Sequence, residues 1–113
     1  MARRKLQLQQ GDVWLESAKI PKGATRVRDN PQAILARGEG HHQHQVAAPG
    51  SVTLYEKDGV RYARFHADSL VEHVTPDGRP GEHRPVNVPA GDYAFGRVQE
   101  WDYLAEMARA VVD

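Results

Sequence analysis

A chain of 113 residues with fifteen Lys and Arg against fifteen Asp and Glu suits one compact domain burying roughly two-thirds of its unfolded surface, and is too short for two. Zero net charge gives nucleic acid and acidic membranes no long-range attraction, which leaves a small-molecule ligand, a protein partner or a second copy of the chain in a homo-oligomer as candidate partners. The absence of cysteine excludes disulfides, thiolate metal centres and cysteine nucleophiles together, so any metal must be held by nitrogen and oxygen.

In chain order, "MARRKLQLQQ" (1–10) reads as a short basic arm or a first strand. Polar "LQLQQGD" stands where a signal peptide would carry its apolar core. No run reaches the ~18 apolar residues of a membrane span, so the expectation is a soluble, cytoplasmic protein. "GDVWLES" (11–17) follows as a strand, and "KIPKGATRVRDNP" (19–31), with its Pro, Gly and Asn-Pro breakers, as a long connection. "AILARGEG" (33–40) is a further strand, and "HQVAAPG" runs on to the Pro49-Gly50 turn.

"SVTLYEKDGVRYARFH" is a hairpin, because Asp58-Gly59 supplies the positive φ angles of a type I′ turn between two strands rich in Val, Thr, Tyr and Phe. "SLVEHV" (69–74) is a strand, "TPDGRPGEHRP" a loop, and "VNVPAGDYAFGRVQ" two more strand pieces around Pro89-Ala90-Gly91. From Trp101 the period changes. Trp101, Leu104, Ala105, Ala108, Val111 and Val112 share one face of an amphipathic helix (101–113) with Asp102 as its N-cap. The predicted fold is mainly β: a small antiparallel β-barrel or sandwich of about six to eight strands over residues 11–100, with one C-terminal α-helix packed on it.

"QQGDVWL", "IPKGA", "GHHQHQV", "LYEKDGVRYARF", "EHRPVNVPAGDY" and "RVQEWDYLAEMARAVVD" together resemble a family of small, uncharacterised phage and bacterial proteins. That family carries a Q-x-G-D-V start, G-H-x-H and E-E-H elements, and a C-terminal R-E-Y-D stretch with a short helix. The resemblance spans nearly the whole chain and implies no activity. Within it, Gly40, His42 and His44 lie near the G-H-x-H element but offset from it, Glu82 and His83 match the end of the second element, and "VTPDGRPG" reads as an insertion before it.

The six histidines carry the chemistry the sequence offers. Residues two apart on a strand share a face, so His42 and His44 can aim two imidazoles at one place, in line with Val46. His41 joins them only through a turn. Further ligands must come from elsewhere, with Glu82 and His83 first and His73 a weaker candidate beside His41. Such a His and Glu set suits Mn, Fe, Ni, Co or Zn, and an open position could activate water. The site logic partly resembles that of cupins, through His42-x-His44 and His83-x-x-x-Asn87, but lacks the cupin Glu after the first pair. If Val86 and Val88 point inward, Glu82 lies on their side and His83 on the opposite one, unless Pro85 or the preceding loop resets the register.

Two other functions fit the same residues. His44 and His83 could divide general-base and general-acid roles on a phosphodiester without a metal, with Arg84 stabilising the anion, as in a ribonuclease. The chain could instead be a structural or interaction protein of a phage or mobile element. Solvated positions account for the histidines on the bland reading: a polar turn for 41–44, strand ends or exposed strand positions for His66 and His73. Trp14, Tyr55, Tyr62, Tyr93, Phe95 and Trp101 read as core and strand-packing aromatics, although Tyr62, Arg64 and His66 share a parity that base stacking could use. Ser17, Ser51 and Ser69 lie outside any G-x-S-x-G context, and "GEG" lacks the Lys-Ser/Thr ending of a phosphate loop.

Overall fold

A computed structural model of the chain describes residues 6–37, 42–75, 79–81 and 83–97. Ten strands run through them: β1 (Gln7–Gln10), β2 (Val13–Ser17), β3 (Thr25–Arg26), β4 (Ile34–Arg37), β5 (Gln43–Val46), β6 (Val52–Lys57), β7 (Val60–Phe65), β8 (Ser69–Val74), β9 (Val86–Val88) and β10 (Gly91–Arg97). One 3-10 turn, Pro49–Ser51, leads into β6.

The alternation of apolar and polar residues explains why these segments pair as two half-buried sheets. Val13 and Leu15 of β2 are buried, as are Ala63 and Phe65 of β7 and Tyr93 and Phe95 of β10, while the residues between them face the other side. One sheet has the order β1-β2-β10-β7-β6-β3 and the second β4-β5-β8-β9; every pairing is antiparallel. Leu35, Val46, Val71 and Val88 of the four-stranded sheet complete the core. Phe65 and Tyr93 meet edge to face at 5.6 Å between centroids, a favoured aromatic geometry.

Asp58 and Gly59 adopt φ of 52° and 79°, and Lys57 pairs with Val60, so the hairpin is the two-residue type I′ turn its sequence requires. The connection 19–31 holds one more strand than expected: β3 adds to the free edge of β6 through Arg26 opposite Tyr55. Of the strand expected over 33–40, Ile34–Arg37 is seen, with a bulge between Ile34 and Ala36, and residues 38–40 lie outside the described residues. The strands form two sheets, and among the described residues they do not close into a barrel. The basic arm and the expected C-terminal helix lie outside the described residues. Trp14, Tyr55 and Tyr62 are not core residues: they are half-buried on the other face of their sheet, because the core side of β2, β6 and β7 belongs to Val13, Leu15, Leu54, Ala63 and Phe65. No helix among the described residues is long and apolar enough to cross a membrane.

Truncating a core ring removes its burial and leaves a cavity. Phe65→Ala is expected to cost about 3–5 kcal/mol in urea denaturation. Leu70→Ala, at a position 42% exposed on β8, should stay within about 0.5 kcal/mol of the parent.

Candidate functional site: a buried histidine cluster

Of the four buried polar side chains among the described residues, Gln10, His44, Ser69 and His73, three lie together at one end of the two sheets. Burying such groups costs free energy unless each is hydrogen-bonded, so their grouping marks a site or a structural network. His44 on β5 and His73 on β8 are direct cross-strand neighbours, their rings 4.7 Å apart between centroids. His42, just before β5, meets His73 edge to face at 5.1 Å. His83, from the loop before β9, lies 4.9 Å from His73 and stacks at 6.3 Å over His44.

Two glycines make this crowding sterically possible. A Cβ on Gly11 would come within 2.6 Å of His83 Cδ2 and Nε2, and one on Gly81 would overlap the His73 ring. Gly11 also has φ of +57°, as the tight turn from β1 to β2 demands. Gly81 donates its backbone N–H to His73 O at 2.6 Å, which fixes the loop against β8.

Gln10 sets the protonation pattern. Its Nε2 donates to Val71 O at 2.9 Å and to Arg84 O at 2.8 Å. Two carbonyl acceptors on that side assign the amide nitrogen there, and Oε1 therefore faces His44 Nδ1 at 2.8 Å. An amide oxygen only accepts, so His44 Nδ1 carries the proton. Burial first, then the positive field of His73, pushes the His44 pKa down from 6.5 to about 4, against the opposing influence of Asp12; His83 lowers it further. His44 is thus neutral at physiological pH, with a lone pair on Nε2. That atom faces Asp12 Oδ1 at 3.4 Å. Asp12 Oδ2 in turn accepts from Arg97 Nε at 3.3 Å.

His73 has a different pattern: its Nδ1 accepts the His83 backbone N–H at 3.2 Å, which places the ring proton of neutral His73 on Nε2. Among the described residues, no group of three His or acidic side chains could hold a metal ion as placed. The His44 and Asp12 pair supplies two facing donor atoms.

Of the residues singled out from sequence, the structure brings together His42, His44, His73 and His83. His41 and Glu82 lie outside the described residues. The segment before β9 does reset the strand parity, because β9 begins at Val86 and residues 83–85 are not part of a strand. His73 is buried, not an exposed strand residue, because β8 lies between β5 and β9. Gln10 and Asp12 went unnoticed among polar neighbours. Reading "QQGDV" as a tight hairpin pairs Gln10 with Val13, on the same inward face, and would have found Gln10, with Asp12 in the turn beside it.

The model of a family described as "Domain of unknown function (DUF8820)" matches residues 9–98, most of the chain and all of the cluster. No curated protein and no solved structure matches the chain.

With the folded pKa of His44 near 4 and the unfolded value near 6.5, the unfolded chain takes up the proton first as pH falls. The His44 contribution is therefore complete above pH 6.5 and lost progressively toward pH 4, on the order of 3 kcal/mol in all. Urea titrations in chelator across this window should show a steeper loss of stability in the parent than in His44→Gln, whose amide does not titrate. Equal slopes would contradict the assignment.

Proposed function

The chain belongs to the DUF8820 family, and for it we propose a binding domain whose histidine cluster holds a divalent transition metal ion. The observation that carries this reading is the facing pair His44 Nε2 and Asp12 Oδ1. A neutral imidazole whose other nitrogen donates to an amide is oriented as metal-ligating histidines commonly are. Its lone pair faces a carboxylate oxygen, and a cation between the two relieves the repulsion of two facing lone pairs. Tetrahedral coordination with metal–ligand bonds near ~2.1 Å separates two donors by roughly 3.4 Å, matching the observed 3.4 Å.

His83 is the natural third ligand. It is exposed, and its ring lies against Gly11, next to Asp12 in the chain. His42 and His73 enclose the site, with Glu82 and His41 beside it in sequence. Imidazole and carboxylate donors without thiolate suit Zn, Ni, Co, Fe or Mn, and solvent-accessible Asp12 and His83 leave a position for water or a small ligand. The metal-free alternative, in which His44 and His83 exchange protons with a phosphodiester, has less support: a histidine held near pKa 4 is a weak base at neutral pH.

Untagged protein, stripped and then equilibrated with Zn, Ni, Co, Fe or Mn, should retain about one metal ion per chain by elemental analysis. At 100-fold excess over Kd the melting temperature should rise by about 10 °C. Both effects should be lost in Asp12→Asn and His44→Gln and kept in His66→Gln. Absence of retained metal and of stabilisation, or equal retention in Asp12→Asn, would overturn the proposal. Asp12 is partly exposed, so that variant tests the site even where His44→Gln folds poorly.

A further inference from the structure

Away from the histidines, a cavity of about 320 Å³ opens between residues 26–33 and the Pro49–Ser51 turn. Its floor is apolar, built by Val27, Ala33, Val52 and Leu54, and its polar lining is Arg26, Arg28, Asn30 and Thr53. It shares no residue with the histidine cluster. We propose that this cavity binds a small organic oxyanion, a phosphate monoester or carboxylate, through the Arg26 and Arg28 guanidiniums, with the apolar body on the Ala33 and Leu54 floor.

Charge is the first argument. No acidic side chain lines the cavity, and among the described residues neither Arg26 nor Arg28 makes an ion pair or side-chain hydrogen bond. Arg64 and Arg97, by contrast, sit on Asp92 and Asp12. Two uncompensated guanidiniums at the mouth of one cleft set up a positive field there, and their planar donor forks match carboxylate and phosphate oxygens.

The second argument is preorganisation. Asn30 closes its loop with both ends of its amide, donating to Ile34 O at 2.7 Å and accepting the Ile34 N–H at 3.0 Å. Ala33, buried and left-handed at φ 52°, accepts the Val46 N–H at 3.0 Å. A non-glycine residue in that region carries strain that the surrounding bonds must hold. The wall is therefore rigid before any ligand arrives, and a preformed cleft loses less entropy on binding. Thr53, which also lines the cavity, shares a 2.7 Å hydrogen bond with His66 Nε2, which holds that part of the wall in place.

Size sets the ligand. The volume lies at the lower end of small-molecule sites and corresponds to roughly ten waters, enough for one ring or short chain with its anionic group.

The test is a titration of the full chain with phenyl phosphate, benzoate and inorganic phosphate, followed by calorimetry and amide NMR shifts. Phenyl phosphate or benzoate should bind saturably and more tightly than inorganic phosphate, and the one that binds better names the anion. Shifts should fall on Val27, Arg28, Asn30 and Thr53. Arg28→Ala and Arg26→Ala, both at exposed positions, should each weaken binding about tenfold or more. Lack of saturable binding, equal affinity for inorganic phosphate, affinities unchanged in both variants, or shifts at the histidine cluster would each overturn it.

Discussion

One buried amide holds the candidate site together. Gln10 stands at the end of β1, in the six-stranded sheet, yet its three hydrogen bonds reach Val71 of β8, Arg84 of the loop before β9 and His44 of β5. It therefore joins the two sheets where apolar packing gives way to polar side chains. Each group it satisfies would cost about 1–3 kcal/mol if left buried and unpaired. The same three bonds decide which nitrogen of His44 carries the proton, and so which nitrogen faces Asp12. Structure and chemistry at this end of the molecule follow from one side chain.

Around that amide, the fold makes room for imidazoles by withholding side chains. Gly11 and Gly81 sit where a methyl group would collide with the rings of His83 and His73. The cross-strand pairing of β5 with β8 places His44 against His73, and the loop that precedes β9 returns His83 over both. Burial then favours the neutral ring of His44. A neutral, oriented imidazole opposite a carboxylate is suited to a cation and poorly suited to proton transfer near neutral pH. The cleft lined by Arg26 and Arg28 shares no residue with this cluster.

Local chemistry was legible in the sequence, and non-local pairing was not. Asp58-Gly59 specifies its own turn, and His42 and His44, two apart in the sequence, both lie beside one partner ring. That partner is His73, which sits 29 residues beyond His44 and becomes its neighbour only through the β5–β8 register. Strand parity left open whether His83 or Glu82 faces the cluster, because a loop that leaves the strand does not keep that parity. Gln10 and Asp12 lie in a polar stretch whose inward face appears only once Gln10 is paired with Val13. The core shows the same division: the alternation of Val13 and Leu15 or Ala63 and Phe65 can be read directly, whereas the separation into two sheets depends on which strands meet.

The most direct measurement of the central claim is the protonation state of each ring nitrogen of His44, from long-range proton–nitrogen correlation NMR on histidine-labelled, chelator-treated protein at pH 7. A proton on Nδ1 and a bare Nε2, with that preference lost in Gln10→Ala and the Nε2 signal moved by added Zn, is the result expected. A proton on Nε2, or a doubly protonated ring, would contradict it.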